Sequence, residues 1–522
     1  MGVKKGPEKY NAANVFVDRH IQEGRGAKVA IYYLDQQINY SEVYEKVNQT
    51  GNALKEMSIG LEDRVMLLLL DCPEFAYSFF GAMKIGAVPV PVNTLLKPED
   101  YEYLLNDSRA KVLVVSHELL INITDIRDNL LYLRQIIVVG KSSEEFLNFD
   151  NLIKDKSTEL ETANTCMDDS AFWLYSSGTT GFPKGTVHLH HDMAFASEHY
   201  AKGVLQITEN DITYSVAKLF FAYGLGNGLY FPFYVGASTV LSPNRPLPEH
   251  VYSVIDRFKP TLFFGVPSSY TAMEQLEVTK KDYDLSSIRY CTSAGEPLPK
   301  VIFERWLEKW NLEILDGIGS TEILHIYISN MPGEVKPGST GKIVPGYEAK
   351  IIDPEDGSIV PTGDIGTLMI KGDSIAAYYW NKHAKTNQTF MGEWINTGDQ
   401  YYQDSDGFFW YVGRNDDMIK AGGIWVSPVE VEYCLMEHPA VLESGVIGRA
   451  DEDGLVKPKA YIVLKEGYEA SIELADELSI FVKSKIAPYK FPRWVQFVPD
   501  LPRTATGKMQ RFILRQFEIK NM

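Results

Sequence analysis

Residues 175–185 read Tyr-Ser-Ser-Gly-Thr-Thr-Gly-Phe-Pro-Lys-Gly. Four hydroxyls (Ser176, Ser177, Thr179, Thr180), the glycines Gly178, Gly181 and Gly185, and one ammonium, Lys184, follow the apolar run 171–175. Gly178 and Gly181 can take positive φ, so the chain can fold tightly around a guest. Backbone N–H groups, hydroxyls and a lysine then converge on an anion, and a polyphosphate is the obvious one. A Walker A loop needs Gly before its lysine and a hydroxyl after it, for Mg²⁺. Here Pro183 and Gly185 stand at those positions. The chain is therefore not read as a P-loop kinase or ATPase. The plain alternative is a Gly/Ser/Thr surface loop.

Further segments carry polar groups suited to a nucleotide. Asp316-Gly-Ile-Gly-Ser-Thr-Glu322 follows an apolar run, 312–315. A strand running into a Gly-rich turn is where α/β sheets bind ligands. Glu322 is a hard oxygen donor for Mg²⁺, and Thr321 can reach a phosphate. Thr397-Gly-Asp399 offers a carboxylate after a tight turn, able to accept both ribose hydroxyls, each bond worth about 1.5–3 kcal/mol. Arg414 can reach a nucleotide or tie two domains together. Lys508 lies in Thr504-Ala-Thr-Gly-Lys508, a second Gly/Thr segment where an anion can bind. Taken singly, each of these is also an ordinary turn or a solvated charge.

The elements that must position these groups follow from the apolar runs. Buried strands are expected at 65–70, 111–115, 135–139, 238–241, 261–264, 288–292 and 312–315, with helices at 73–85, 99–105, 249–258 and 298–310 between them. Apolar strands alternating with helices predict α/β architecture with mainly parallel sheets covered on both faces. Residues 340–413 change to short β-rich runs punctuated by Pro-Gly, Asp-Gly and Thr-Gly, which predicts a mainly antiparallel barrel or sheet. A boundary falls at Arg414-Asn-Asp-Asp417. The expected division is 1–415 and 416–522, the second a small α+β domain with helices opening at Ser427-Pro-Val-Glu430, read as a capping box, and at Ser471.

The chain has 522 residues and a net charge of −18, which opposes a broad nucleic-acid surface. Phosphates must be captured by local cations. Cys72, Cys166, Cys291 and Cys434 are scattered with no Cys-x-x-Cys, which suits a reduced cytoplasm. The first residues lack a signal-peptide core or myristoylation pattern, and the longest aliphatic run, 65–70, is too short to span a bilayer. A membrane partner is not expected, and the chain is read as a monomer or homodimer. His188, His190, His191 and His199 have no cysteine ligands beside them and are read as structural.

The order of these motifs resembles the AMP-forming adenylate superfamily of acyl-CoA synthetases, peptide-synthetase adenylation domains and luciferases. The resemblance runs from about residue 30 to 513. Ala217-Lys-Leu-Phe-Phe-Ala-Tyr223, Ser293-Ala-Gly-Glu-Pro297 and the 316–326 segment resemble benzoate–CoA ligases, including the aliphatic Ile318 where most of the superfamily has an aromatic residue. The resemblance implies ligation of an aryl or alicyclic acid to CoA through an acyl-adenylate, using ATP, CoA and Mg²⁺. It implies that segment 176–185 holds the β- and γ-phosphates and that Thr321 touches the α-phosphate. It puts Glu322 on Mg²⁺, Asp399 and Arg414 on the ribose, and Gly295, Glu296, Pro297, Asp316 and Gly317 around adenine. Lys508 then bridges the carboxylate and the α-phosphate. Ala217, Phe220, Tyr223, Gly319, His325 and Ile326 line the acyl pocket. The resemblance also implies that Asp416 is the hinge of a turning C-terminal domain and that Lys420, Gly422 and Gly423 serve the thioester step. Phe220–Gly224 holds no carboxylate for an amino-acid ammonium, which opposes a peptide-synthetase role. Loading an aryl acid onto a carrier protein, and a non-catalytic nucleotide-binding scaffold, remain open alternatives.

Overall fold

The computed structural model describes residues 8–141, 145–178, 181–415, 417–421, 424–451, 455–503 and 509–520. Thr179, Thr180, Asp416, Gly422, Gly423 and Lys508 lie outside the described residues.

Two parallel sheets form the body. The larger has nine strands in the order 342–343, 326–329, 314–319, 290–293, 262–265, 212–215, 238–241, 29–33 and 36–39. Its interior pairs are parallel, and antiparallel pairs close both ends. The smaller sheet is wholly parallel, in the order 88–91, 64–68, 112–116, 135–139 and 147–148. Helices cover these strands because the strands are apolar on both faces: Val65–Leu68 and Val112–Val115 are fully buried. Helix Pro73–Lys84 starts on proline, which has no N–H to leave unsatisfied in the first turn.

Between the sheets stands an antiparallel hairpin, Ser170–Gly178 with Gly181–Leu189, extended by Tyr378–Tyr379. Residues 175–185, expected as a loop, are thus mostly hairpin arm, with Ser176 opposite Lys184. Cross-strand pairing supplies the backbone hydrogen bonds that the local Gly/Ser/Thr composition does not reveal. The 316–319 stretch, expected as a turn, belongs to strand Ile314–Gly319. It pairs antiparallel with Ile326–Ser329, so closely that a Cβ on Gly319 would lie 2.7 Å from the His325 carbonyl oxygen. The turn itself is one 3₁₀ turn, Thr321–Ile323. Likewise Thr397–Asp399 sits inside strand Trp394–Gln403, where Gly398 takes φ +73°.

The β-rich region is a sheet rather than a barrel. Strands 348–352, 366–371, 394–403, 390–391 and 409–414 pair antiparallel. Beyond it, strands 441–450, 456–464 and 494–497 and helices Pro428–Met436 and Ile472–Lys485 enclose their own core, around Val431, Leu435, Val446, Ile462, Leu478 and Val482. Ser427 and Ser471 both cap their helices, accepting from the N–H of Glu430 and Leu474. The Ser427 box is only half made, because the Glu430 carboxylate pairs with Lys490 at 2.6 Å. A long-range cation wins over the local N-terminal bond.

Candidate active site

Strand pairing brings Ser176, Lys184, Glu322 and Tyr379 together. The Glu322 carboxylate is the centre. Its Oε1 accepts from Ser176 Oγ at 3.0 Å and from the Tyr379 hydroxyl at 2.8 Å, and lies 3.8 Å from Lys184 Nζ. Three separate segments, the hairpin, the 321–323 turn and strand 378–379, therefore meet on one oxygen. These contacts leave Oε2 outside them. Burial raises the Glu322 pKa, but Lys184 and the Tyr379 hydroxyl outweigh it and hold the carboxyl below its ordinary value. Burial lowers the Lys184 pKa, opposed by Glu322. The Lys184 ammonium also lies 4.5 Å from the Tyr379 ring centroid, a cation–π contact.

The hairpin is anchored away from this oxygen. Tyr103 donates to the Pro183 carbonyl at 3.1 Å, and Tyr175 to Asp107 at 2.7 Å. Trp380 joins the same helix through its indole N–H, which donates to the Asp107 carbonyl at 2.9 Å, while its main-chain N–H donates to Gly185.

Asp399 and Arg414 face each other across neighbouring strands, Arg414 Nη1 donating to Asp399 Oδ1 and to the Thr397 carbonyl, each at 3.0 Å. Asp316 is buried, and burial pushes its carboxyl well above the usual range. Hydrogen bonding to the Ser293 side chain and to the Leu298 and Gly317 backbone opposes that rise. Gly295, at φ +96°, precedes Glu296. Glu296 Oε1 accepts from Met509 N–H at 3.1 Å and from Arg503 at 3.4 Å. The residues bracketing the Lys508 segment are thus both tied to Glu296. Lys420 is exposed on the short hairpin 419–421/424–426, which packs on the C-terminal core through Ile419 and Ala421. Asp417, beside the expected hinge, is held by Arg511 and Arg515.

The expected acyl residues include two ring pairs, Phe220 with its neighbour Phe221 and Tyr223 with His325. Phe220 and Phe221 pack edge to face at 4.2 Å, and Ala217 is half-buried just before them. Tyr223 donates to or accepts from Thr292 Oγ1 at 2.7 Å and lies 5.4 Å from the His325 ring. His325 Nε2 faces two acceptors, Asn227 Oδ1 and the Tyr223 carbonyl, so that nitrogen donates. Its Nδ1 is buried without a partner among the described residues. Burial lowers its pKa to about 3, so the ring is neutral. Ile326 opens the strand that backs Gly319.

Sequence reasoning missed two features. One is a basic cavity of about 380 Å³ lined by Arg64, Arg109, Lys111, Tyr132 and Arg134. Arg64 and Arg109 both lie over the Trp380 ring, at 5.5 and 5.6 Å. Lys111 pairs with Asp63, whereas Arg109 and Arg134 have no carboxylate within 4.0 Å among the described residues. Burial, and then the like charge of Arg109, lower the Arg64 pKa. The only signal was a basic residue at or just before the start of three successive strands of the smaller sheet. The other is His188, which joins the hairpin to the Thr321 carbonyl. His190 accepts from Ala12 N–H, and His199 packs against the Phe195 ring.

A parallel α/β body, a hydroxyl-and-lysine hairpin closing on a half-buried carboxylate, and a small appended α+β domain define the class. Residues 17–380 match the AMP-binding enzyme family, and 430–508 match the AMP-binding enzyme C-terminal domain. The chain belongs to the AMP-binding enzyme family. It is 48% identical to a benzoate–CoA ligase of Thauera aromatica, across 98% of this chain and 96% of that one. Among solved structures it is similar to the anthranilate–CoA ligase AuaEII in complex with anthranoyl-AMP (TM-score 0.95, 45% identity, 100% of this chain and 99% of that one). It is also similar to a benzoate–CoA ligase of Burkholderia xenovorans LB400 (TM-score 0.89, 44% identity, 97% and 100%).

Proposed function

We infer that this protein is an AMP-forming acid–thiol ligase that joins benzoate, or a closely related aryl acid, to coenzyme A. The observation that carries the reading is the half-buried Glu322 carboxylate, bracketed by Ser176 and Lys184 of a hydroxyl-rich hairpin. In the first half-reaction an acid oxygen attacks the α-phosphorus of ATP, and the bond to pyrophosphate breaks. Two anions must approach, so the protein's work is charge neutralisation and in-line positioning. Lys184 and the hairpin hydroxyls, Ser176, Ser177, Thr179 and Thr180, take the β- and γ-phosphates. Thr321 meets the α-phosphate. Asp399, already oriented by Arg414, accepts the ribose hydroxyls. The segment 295–297, Asp316 and Gly317 flank adenine.

Among the described residues no three His, Cys, Asp or Glu side chains form a metal cage. A lone ionised carboxylate fits Mg²⁺, which keeps waters and shares substrate phosphates. Glu322 would hold it, and when bound it supplies charge neutralisation on the phosphates.

Lys508 is assigned to the developing charge between acid and α-phosphate, supported by the anchoring of Arg503 and Met509 on Glu296. In the second half-reaction the CoA sulfur attacks the acyl carbon and AMP leaves. For that step residues 416–522 turn about Asp416 and present Lys420, Gly422 and Gly423. The basic cavity at Arg109 and Arg134 takes the phosphates of the CoA nucleotide. It is joined through Trp380 to Tyr379, whose hydroxyl reaches Glu322. Phe220, Tyr223, Gly319, His325 and Ile326 form a flat, uncharged acyl pocket suited to an aromatic ring, with Ala217 at its edge. Among the described residues no helix is long and apolar enough to cross a membrane, and a cytoplasmic location fits the unpaired cysteines.

The test is AMP release by the purified chain with ATP, CoA and a panel of benzoate, 2-aminobenzoate, 4-hydroxybenzoate and cyclohexanecarboxylate. Benzoate-dependent AMP and benzoyl-CoA are expected. No AMP with any of the four acids would overturn the reading.

A further inference from the structure

We propose that His188 is a positioning residue for the adenylation half-reaction, holding the Thr321–Glu322 turn against the phosphate hairpin through both ring nitrogens. The proposal rests on the ligase reading above. His188 stands four residues after Lys184 on the same hairpin arm, with no exposed surface. Its Nδ1 lies 2.7 Å from Asp192 Oδ2, and its Nε2 lies 2.8 Å from the Thr321 carbonyl oxygen. Both partners are acceptors. Nε2 therefore donates to the carbonyl oxygen, and Nδ1 shares a proton with the buried Asp192 carboxyl.

The surroundings hold the ring in that orientation. Asp192 is itself fully buried, and its Oδ2 also accepts from Leu189 N–H at 3.1 Å. His191 Nε2 lies 3.3 Å from the other Asp192 oxygen. Phe172 stacks on the His188 ring, centroids 5.1 Å apart and planes within 15°. A buried carboxylate without a cation beside it would be costly, so Asp192 and His188 depend on each other.

The bond to Thr321 falls at a strained place. Leu324, which closes the 3₁₀ turn, has φ +72° and ψ −46°, a conformation costly for a residue with a Cβ. Three successive carbonyls of the turn are gripped from outside it. His188 holds Thr321 O, Ala376 N–H holds Glu322 O at 2.8 Å, and Ser374 Oγ holds Ile323 O at 2.8 Å. Only the first grip comes from the hairpin. His188 thereby fixes the spacing between Lys184 and Glu322, the two charges that must share one polyphosphate. A histidine that merely filled the core would not need the second partner.

The experiment compares the two half-reactions in His188→Gln and Asp192→Asn. Benzoate-dependent ATP–pyrophosphate exchange is expected to fall about 10²-fold in His188→Gln, the cost of a misplaced catalytic group. Thioester formation from synthetic benzoyl-AMP and CoA should stay within about threefold, since it uses neither pyrophosphate nor the spacing of that pair. Asp192→Asn should fall in the same half-reaction and by less. Equal loss in both half-reactions would overturn the proposal, because general destabilisation affects both alike. In the unmodified chain with ¹⁵N-labelled histidine, one imidazole should show a slowly exchanging Nε2–H proton, absent from His188→Gln. An Nε2 without a proton on His188 would also overturn it, and this reading stands even where a variant fails to fold. An unmodified chain that forms no benzoyl-AMP would refute the ligase reading instead, while the Nε2–H signal would still decide His188.

Discussion

Replacing Glu322 by glutamine removes one charge and keeps the shape. The amide oxygen can still accept from Ser176 and Tyr379, at 3.0 and 2.8 Å in the parent. What goes is the attraction to Lys184 at 3.8 Å. At an effective dielectric of about 20 that attraction is about 4 kcal/mol before solvation is counted. Removing one partner of a fully buried pair costs about 3–5 kcal/mol; here both side chains keep 16% exposure, and Lys184, whose pKa burial already lowers, can lose its proton and recover part of that. A stability loss of about 2 kcal/mol remains after this relief. The functional loss is larger. With no carboxylate for Mg²⁺ and no fixed anion against Lys184, benzoate-dependent pyrophosphate exchange should drop about 10²–10³-fold, as for loss of a preorganised electrostatic group. The Mg²⁺ concentration for half-maximal exchange should rise. The assay is exchange kinetics over a Mg²⁺ series, with thermal denaturation alongside. Exchange within about fivefold of the parent at every Mg²⁺ concentration would refute the placing of Glu322 at the phosphates.

Lys508→Ala should cut pyrophosphate exchange by about 10²-fold or more while sparing thioester formation from benzoyl-AMP; intact exchange would remove Lys508 from the first step. Asp416→Pro should give the opposite split, and equal loss of both half-reactions would count against a hinge there. Arg109→Ala combined with Arg134→Ala should raise KM for CoA about tenfold, or 1.4 kcal/mol. Pantetheine, which lacks the nucleotide, should be used equally well by parent and variant; an unchanged KM for CoA would free the basic cavity from this role. His20, His190 and His325 have pKa values lowered by burial to about 4, 4 and 3. The unfolded chain takes up these protons first, so stability is intact above about pH 6.5 and falls below it, by up to about 1.4 kcal/mol per pH unit for each ring. Denaturant midpoints measured from pH 7.5 to 5.5 should show the fall, and His325→Gln should flatten it.

Much of the scaffold was legible because its signals are local. Apolar runs such as 65–70 and 135–139 are too short for a buried helix and are read as strands, and strands 64–68 and 135–139 form there. Proline at residue 73 and serine at 471 mark helix starts by the N–H groups they lack or satisfy. The residue types needed for a nucleotide, Lys184, Glu322, Asp399, Arg414 and Lys508, were visible in their order along the chain. The chemistry to expect and the family resemblance were therefore set by sequence alone.

Tertiary structure decided which of these groups meet. Ser176 and Glu322 are 146 positions apart, and Tyr379 lies 57 beyond Glu322. No local pattern places their oxygens within hydrogen-bonding distance. Residues 175–185 and 316–319 looked like a loop and a turn because glycine has weak strand preference; cross-strand hydrogen bonds and packing overrode it. The basic cavity escaped notice because its residues are scattered from 64 to 134 in a chain of net charge −18. His188 gave no sign of its part, since a histidine's use depends on what its two nitrogens face, and Asp192 and the Thr321 carbonyl are brought to them only by the fold.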